Sequence, residues 1–190
     1  MSGRRRAAGL AARLGALALA ALAATGAELP RSAALSRELD RAQALLRVRL
    51  ATLPQDSGVL ILRDREQLTL RIPARLLFVH DSPGLQRNPA AAAPLAATVQ
   101  LLRKYRALQA QIVVYTDSIG GVSANQSLSD QRAQTVYAAL AAAGIGRDRL
   151  RQHGAGTATM VASNETPQGR IENRRLEIEF RLRRGAAAVP

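Results

Sequence analysis

Cysteine is absent from the 190 residues, which excludes disulfides, Cys-ligated zinc, thiol catalysis and an N-terminal lipid carried on Cys, and leaves the compartment open. Tryptophan is absent too, and with aromatic residues at only 3% the core has to be built from Leu, Val and Ile. The apolar fraction of 47% is inflated by alanine but still allows a real core. Lysine occurs once, at Lys104, so the formal charge of +13 is almost entirely arginine. Charge of this sign suits polyanions, whether nucleic acid, anionic lipid or an anionic cell-wall polymer. The arginines form no single tight stripe and no aromatic residues interleave them, so nucleic acid is not the expected partner. Two histidines, His80 and His153, lie far apart without Asp or Glu at metal-ligand spacing, and no metal or other cofactor is expected.

What is present begins with MSGRRRAAGLAARLGALALAALAATGAE: a cationic start, an apolar run from Leu14 to Ala24, and small residues at Thr25 and Ala27. This layout predicts a secretory signal peptide at 1–27, cleaved after Ala27; its removal lowers the formal charge from +13 to +9. The run falls short of the roughly 20 residues of a comfortable membrane span, and Arg13 blocks its extension, with an uncleaved anchor as the alternative. From Ser32 to Leu53, Leu35, Leu39, Ala42, Leu46, Leu50 and Leu53 recur at helical steps, and Pro54 ends the pattern. An amphipathic helix and linker are therefore expected over 28–57, with packing on the domain as the simplest use of the stripe.

Beyond it, GVLILRDREQLTLRIP reads as a β-hairpin. A helix carrying Leu95, Val99 and Leu102 follows, starting at either Pro89 or Pro94. Gln111 to Tyr115 is a short apolar strand, and a second helix places Ala133, Val136, Tyr137 and Leu140 on one face before Gly144. The stretch from Arg149 to Asn173 reads mostly as loop, with the GAG of Gly154 to Gly156 as a turn. RRLEIEFRLR then alternates Leu176, Ile178 and Phe180 with Glu177, Glu179 and Arg181, a strand with one buried and one wet face. The expected fold class is α/β: a sandwich with helices on one face of a mixed sheet, preceded by the N-terminal helix.

TDSIGGVSANQSLSDQRA, Thr116 to Ala133, sets Asp117 at the carboxyl end of a buried strand, where open α/β sheets commonly bind ligands. The simplest reading makes Ser129 the N-cap of the next helix and Arg132 its third residue, with Asp130 complementing the dipole. A carboxylate, a guanidinium and free helix-start N–H groups in one region are complementary to a zwitterion. A plain Asp117–Arg132 salt bridge is equally compatible with the spacing. Ser127 and Ser129 have no nearby His base and read as turn or capping residues.

TDSIGG, then Asn125, Leu128, Ser129, Arg132, Ala133 and Val136 resemble the TD, N and LSxxRAxxV pattern of the OmpA-like peptidoglycan-binding domain. The resemblance continues through Gly154 and Gly156, ASNETPQGR (Ala162 to Arg170) and ENRRLEI (Glu172 to Ile178); Leu77, Phe78 and Leu85 fit the opening segment. It covers roughly 59–181, implies a domain at 58–184 followed by a disordered tail at 185–190, and implies a βαβαβ-type sandwich. It further implies a ligand, the meso-diaminopimelate of the peptidoglycan stem peptide. Its zwitterionic end would be held by Asp117 and Arg132, with Thr116 and Asn125 as secondary contacts and Asn173 and Arg174 supporting or lining the site. The chain departs from the family at Val114 and Tyr115, where GH is usual, and at Val79, where an Asp commonly follows the Phe; Tyr115 offers an aromatic wall in exchange.

The expectation is thus a periplasmic, non-enzymatic module that anchors the envelope by binding peptidoglycan, with association with the outer membrane as one option. The alternative is an envelope assembly protein of the same fold acting on partner proteins through its N-terminal helix. A wall hydrolase would need a carboxylate pair or metal site that the sequence does not display. Removal of the leader predicts Glu28 as the first residue read by N-terminal sequencing of the envelope-fraction protein; an intact Met1 there would mean a retained anchor.

Overall fold

The computed structural model describes residues 28–183, so the expected leader and the 185–190 tail lie outside the described residues. Helix α1 (Glu28–Leu50) opens the fold and ends ahead of Pro54. Leu39, Ala42, Leu46 and Leu50 are buried in the main core, so the described part of the stripe is spent inside the domain. Strands β1 (Leu60–Arg63) and β2 (Leu68–Pro73) form the expected antiparallel hairpin. Its turn is set by Asp64, whose Oδ1 accepts from the backbone N–H of Glu66 and Gln67 at 2.9 Å each.

A single helical turn, α2 (Ala74–Leu77), leads to α3 (Pro89–Lys104). Asn88 caps α3 by accepting from Ala91 N at 2.8 Å, and Pro89 fills the first turn, which decides between the two prolines; Pro94 lies inside the helix. The buried face is Ala91, Ala97, Thr98, Leu101 and Leu102, while Leu95 and Val99 are half-buried, so the helix is rotated from its expected orientation. Strand β3 (Leu108–Tyr115) starts before Gln111 because Leu108 and Ala110 occupy buried positions in the same alternation.

Helix α4 (Val122–Ala142) departs most from expectation. Gly121 is its N-cap, so Ser129 lies mid-helix and Arg132 about three turns in. The dipole roles assigned to Arg132 and Asp130 therefore fall away. Asp130 and its helix neighbours instead hold the strand beside them: β4 (Leu150–Gly156), in the stretch expected to be loop. Ser129 Oγ accepts from Gly156 N at 3.0 Å, Asp130 Oδ1 accepts from Gly154 N at 3.0 Å, and Gln126 Nε2 donates to Gly154 O at 2.6 Å. A Cβ on Gly154 would collide with the backbone N of Asp130, so the GAG is the point of closest helix–strand approach. Helix α5 (Pro167–Asn173), capped by Thr166, also falls in the expected loop and leads into β5 (Arg175–Leu182).

The sheet order is β1-β2-β5-β3-β4, with β3 and β4 parallel and every other pair antiparallel. Leu70, Ile72, Leu176, Ile178, Phe180, Ile112 and Val114 share one core with α1, α3 and α4, the expected sandwich with helices on one face. The other face is less wet than alternation predicts. Glu177 is buried, accepting from Arg71 Nε and Arg175 Nε at 2.9 Å each. Burial raises the Glu179 carboxyl above its ordinary range, opposed by Arg181 and reinforced by Glu177.

Gly154→Ala should cost about 1–3 kcal/mol, since helix backbone rather than a movable side chain meets the new methyl. A lowered chemical-denaturation midpoint at unchanged slope checks this.

Candidate functional site

Beyond the carboxyl end of β3 a pocket of about 460 Å³ is lined by Phe78, Val79, Thr116, Asp117, Asn125, Arg132 and Arg174 among others. The five residues singled out from sequence, Asp117, Arg132, Thr116, Asn125 and Arg174, all reach it. Four chain segments meet there: α2 with the loop after it, the β3–α4 loop, helix α4, and the junction of α5 with β5.

Asp117 is 5% exposed, and its carboxylate accepts from Ile119 N at 3.0 Å and pairs with Arg174 Nη1. Asn125 fixes this loop from inside, donating to Ile119 O at 2.9 Å and Asp117 O at 3.3 Å. Thr116 N donates to Gly156 O at 2.8 Å, while its buried hydroxyl has no hydrogen-bond partner among the described residues. An orphaned buried hydroxyl costs free energy until something supplies a partner.

Arg132 is also 5% exposed and is not paired with Asp117, so the plain salt bridge is not formed. Its Nε donates to Ser82 O at 2.9 Å, and its guanidinium lies over the Phe78 ring, 5.0 Å from the centroid. Burial lowers its pKa from the ordinary arginine value, with Asp81 opposing the shift and Arg174 adding to it. Among the described residues its terminal Nη groups have no acceptor. Phe78 and the Ser82 carbonyl were not foreseen as its supports. The signal was Phe78 in the family's opening segment, but distance in sequence hid the contact.

Tyr115 does not supply a pocket wall. It points to the opposite face of the sheet, where the Arg175 guanidinium stacks on its ring at 3.7 Å. Burial, then the nearby Glu177, raise its phenol pKa. Val79 does line the pocket and is 48% exposed there. His80 and Asp81 sit at the rim, highly exposed, with Asp81 at φ 49°.

Asn173 is a latch rather than a lining residue. Fully buried, it accepts from Val161 N and Ala162 N at 2.8 and 3.1 Å and donates to Ala162 O and Asn164 Oδ1 at 2.9 Å. Asn164 Oδ1 also accepts from Ser118 N at 3.3 Å, tying the ASNETPQGR segment to the loop that carries Asp117.

A sequence model of the OmpA family matches residues 77–174, more than half of the chain. The chain belongs to the OmpA family. Among its relatives, the probable lipoprotein YiaD of Escherichia coli is 37% identical over 122 residues, which are 64% of this chain and 55% of YiaD. The peptidoglycan-binding protein ArfA of Mycobacterium tuberculosis is 45% identical over 64 residues, 34% of this chain and 20% of ArfA. This OmpA-family chain thus spans about half or less of the curated relatives it matches. Among solved structures, the cell wall anchor of the T6SS from Pseudomonas aeruginosa superposes with a TM-score of 0.63 at 25% identity, over 73% of this chain and 97% of that one. The fold is that of the OmpA-like domain.

Replacing Asn173 by Ala should cost about 2–3 kcal/mol, because it removes four hydrogen bonds of one buried side chain at once. Thermal unfolding checks the loss, and hydrogen exchange should show residues 161–164 losing protection first.

Proposed function

We propose that this chain binds peptidoglycan noncovalently, through the zwitterionic end of the meso-diaminopimelate in the stem peptide. The observation that carries the reading is that Asp117 and Arg132 are both buried at one pocket yet are not paired with each other. An ammonium group suits Asp117, whose carboxylate has lone pairs left beyond those given to Ile119 N and Arg174. A carboxylate suits the Nη groups of Arg132, which the Phe78 ring and the Ser82 carbonyl hold in place. Thr116 would direct its unpartnered hydroxyl to the ligand, Asn125 would keep the loop shaped, and Arg174 would anchor the Asp117 carboxylate while adding positive charge beside the ligand carboxylate. The ligand charges fit these groups without help from a first helical turn around Arg132.

ArfA and the T6SS anchor support the reading through their own wall binding and anchoring. We extend it to a binding rather than catalytic pocket, in a periplasmic domain over 58–184 that stabilises the envelope. The alternative of a partner-binding N-terminal helix is less well supported, since the described apolar stripe of α1 is buried and leaves Arg37, Arg41, Arg47 and Arg49 facing out.

Retention on purified diaminopimelate-type peptidoglycan tests the proposal. Asp117→Ala and Arg132→Ala should each weaken binding by about ten- to a hundredfold, the scale of one charged hydrogen bond. Arg132→Lys should recover only part of it, because the planar fork is lost. Free meso-diaminopimelate should elute the wild type; equal retention of folded variants at moderate salt would reduce the interaction to charge adsorption.

A further inference from the structure

The two ends of the sheet differ in charge. Four segments close the end away from the pocket: 64–67, 103–107, 147–151 and 181–183. The strand directions bring them together, because β3 and β4 start at this end and β5 finishes there, with Leu68 at the start of β2 paired to Phe180. These segments carry nine Arg or Lys against three carboxylates, whereas the other described residues carry thirteen against eleven. The asymmetry is therefore a property of this pole and not of the chain's general basicity. An open cleft of about 950 Å³ there is lined by Arg65, Arg151, Arg181 and Arg183 together with Asp64, Glu66 and Asp148. Asp148 is already matched by Arg183 at 3.0 Å. Arg149 makes the pole rigid, donating to the carbonyls of Leu102, Tyr105 and Leu108 at 2.7–2.9 Å.

The chain enters the fold at the same pole. Arg63, next to the 64–67 turn, reaches Ser36 O at 3.5 Å and Asp40 at 3.4 Å, so the first half of α1 lies here and its second half runs toward Val59 and Ile61.

We propose that this basic pole docks on a bilayer surface of anionic phospholipid. Arginine stems keep their guanidinium groups wet while these approach headgroup phosphates, and each cation near such a surface adds to the attraction. The pocket then faces away, about 26 Å off, the length of the eight-residue β3. A soluble polyanion would satisfy the same charges, and competition by one is therefore an outcome of the test.

The test is co-sedimentation of the full chain with vesicles of phosphatidylcholine alone or with about one-third phosphatidylglycerol. The wild type should partition at least about tenfold better onto the anionic vesicles, and the preference should vanish at high salt. Neutralising the pole with Arg65→Gln, Arg106→Gln, Arg151→Gln and Arg181→Gln should remove most of it. The same number of changes at Arg47, Arg49, Arg75 and Arg87 should not. Asp117→Ala should keep the lipid preference while losing the wall, which separates this proposal from the pocket reading. Equal partitioning of the wild type on both vesicles, or a full preference in the neutralised protein, would overturn it. So would lipid-free polyphosphate competing the wild type off anionic vesicles at matched phosphate concentration.

Discussion

The close approach of α4 to β4 governs the geometry of the pocket. Gly154 and Gly156 let the helix lie against the strand, and Gln126, Ser129 and Asp130 occupy the strand's backbone groups, which also seals an exposed sheet edge. Arg132 lies about one turn beyond those residues on the same helix, so its direction is inherited from this seam. Asp117 is fixed by the neighbouring strand β3, whose continuation Thr116 bonds to Gly156. Both charges are thus referred to the same two glycines.

Much of this was legible in the sequence, and the failures have identifiable causes. The hairpin, β5 and the stripe of α1 show because apolar residues recur at the strand or helix period. Strand β4 hides because RQHGAG has almost no apolar alternation and is specified by partners on β3 and α4. The start of α4 was misplaced because SLSDQ looks like a cap; Ser129 uses its hydroxyl to accept from another strand instead. The site residues were readable as a family pattern. Their pairing was not, since Asp117 chooses Arg174 over Arg132 through a junction far along the chain.

The underside of the sheet shows the cost of burying charges on a sheet face. Arg71, Arg175 and Glu177 share two 2.9 Å bonds, and Tyr115 stacks on Arg175. Such a cluster gains little over an apolar patch of equal volume but loses heavily if one member is removed. Arg174 and Arg175, adjacent on the chain, serve opposite faces: one completes the pocket and the other this cluster.

That adjacency has a mechanical consequence. Asp117 follows the end of β3 and Arg174 precedes β5, and these are neighbouring strands paired over eight residue positions. A pull applied through the pocket therefore runs along the strand axes. It meets the ladder between β5 and β2 in shear, where the bonds resist together instead of parting one after another.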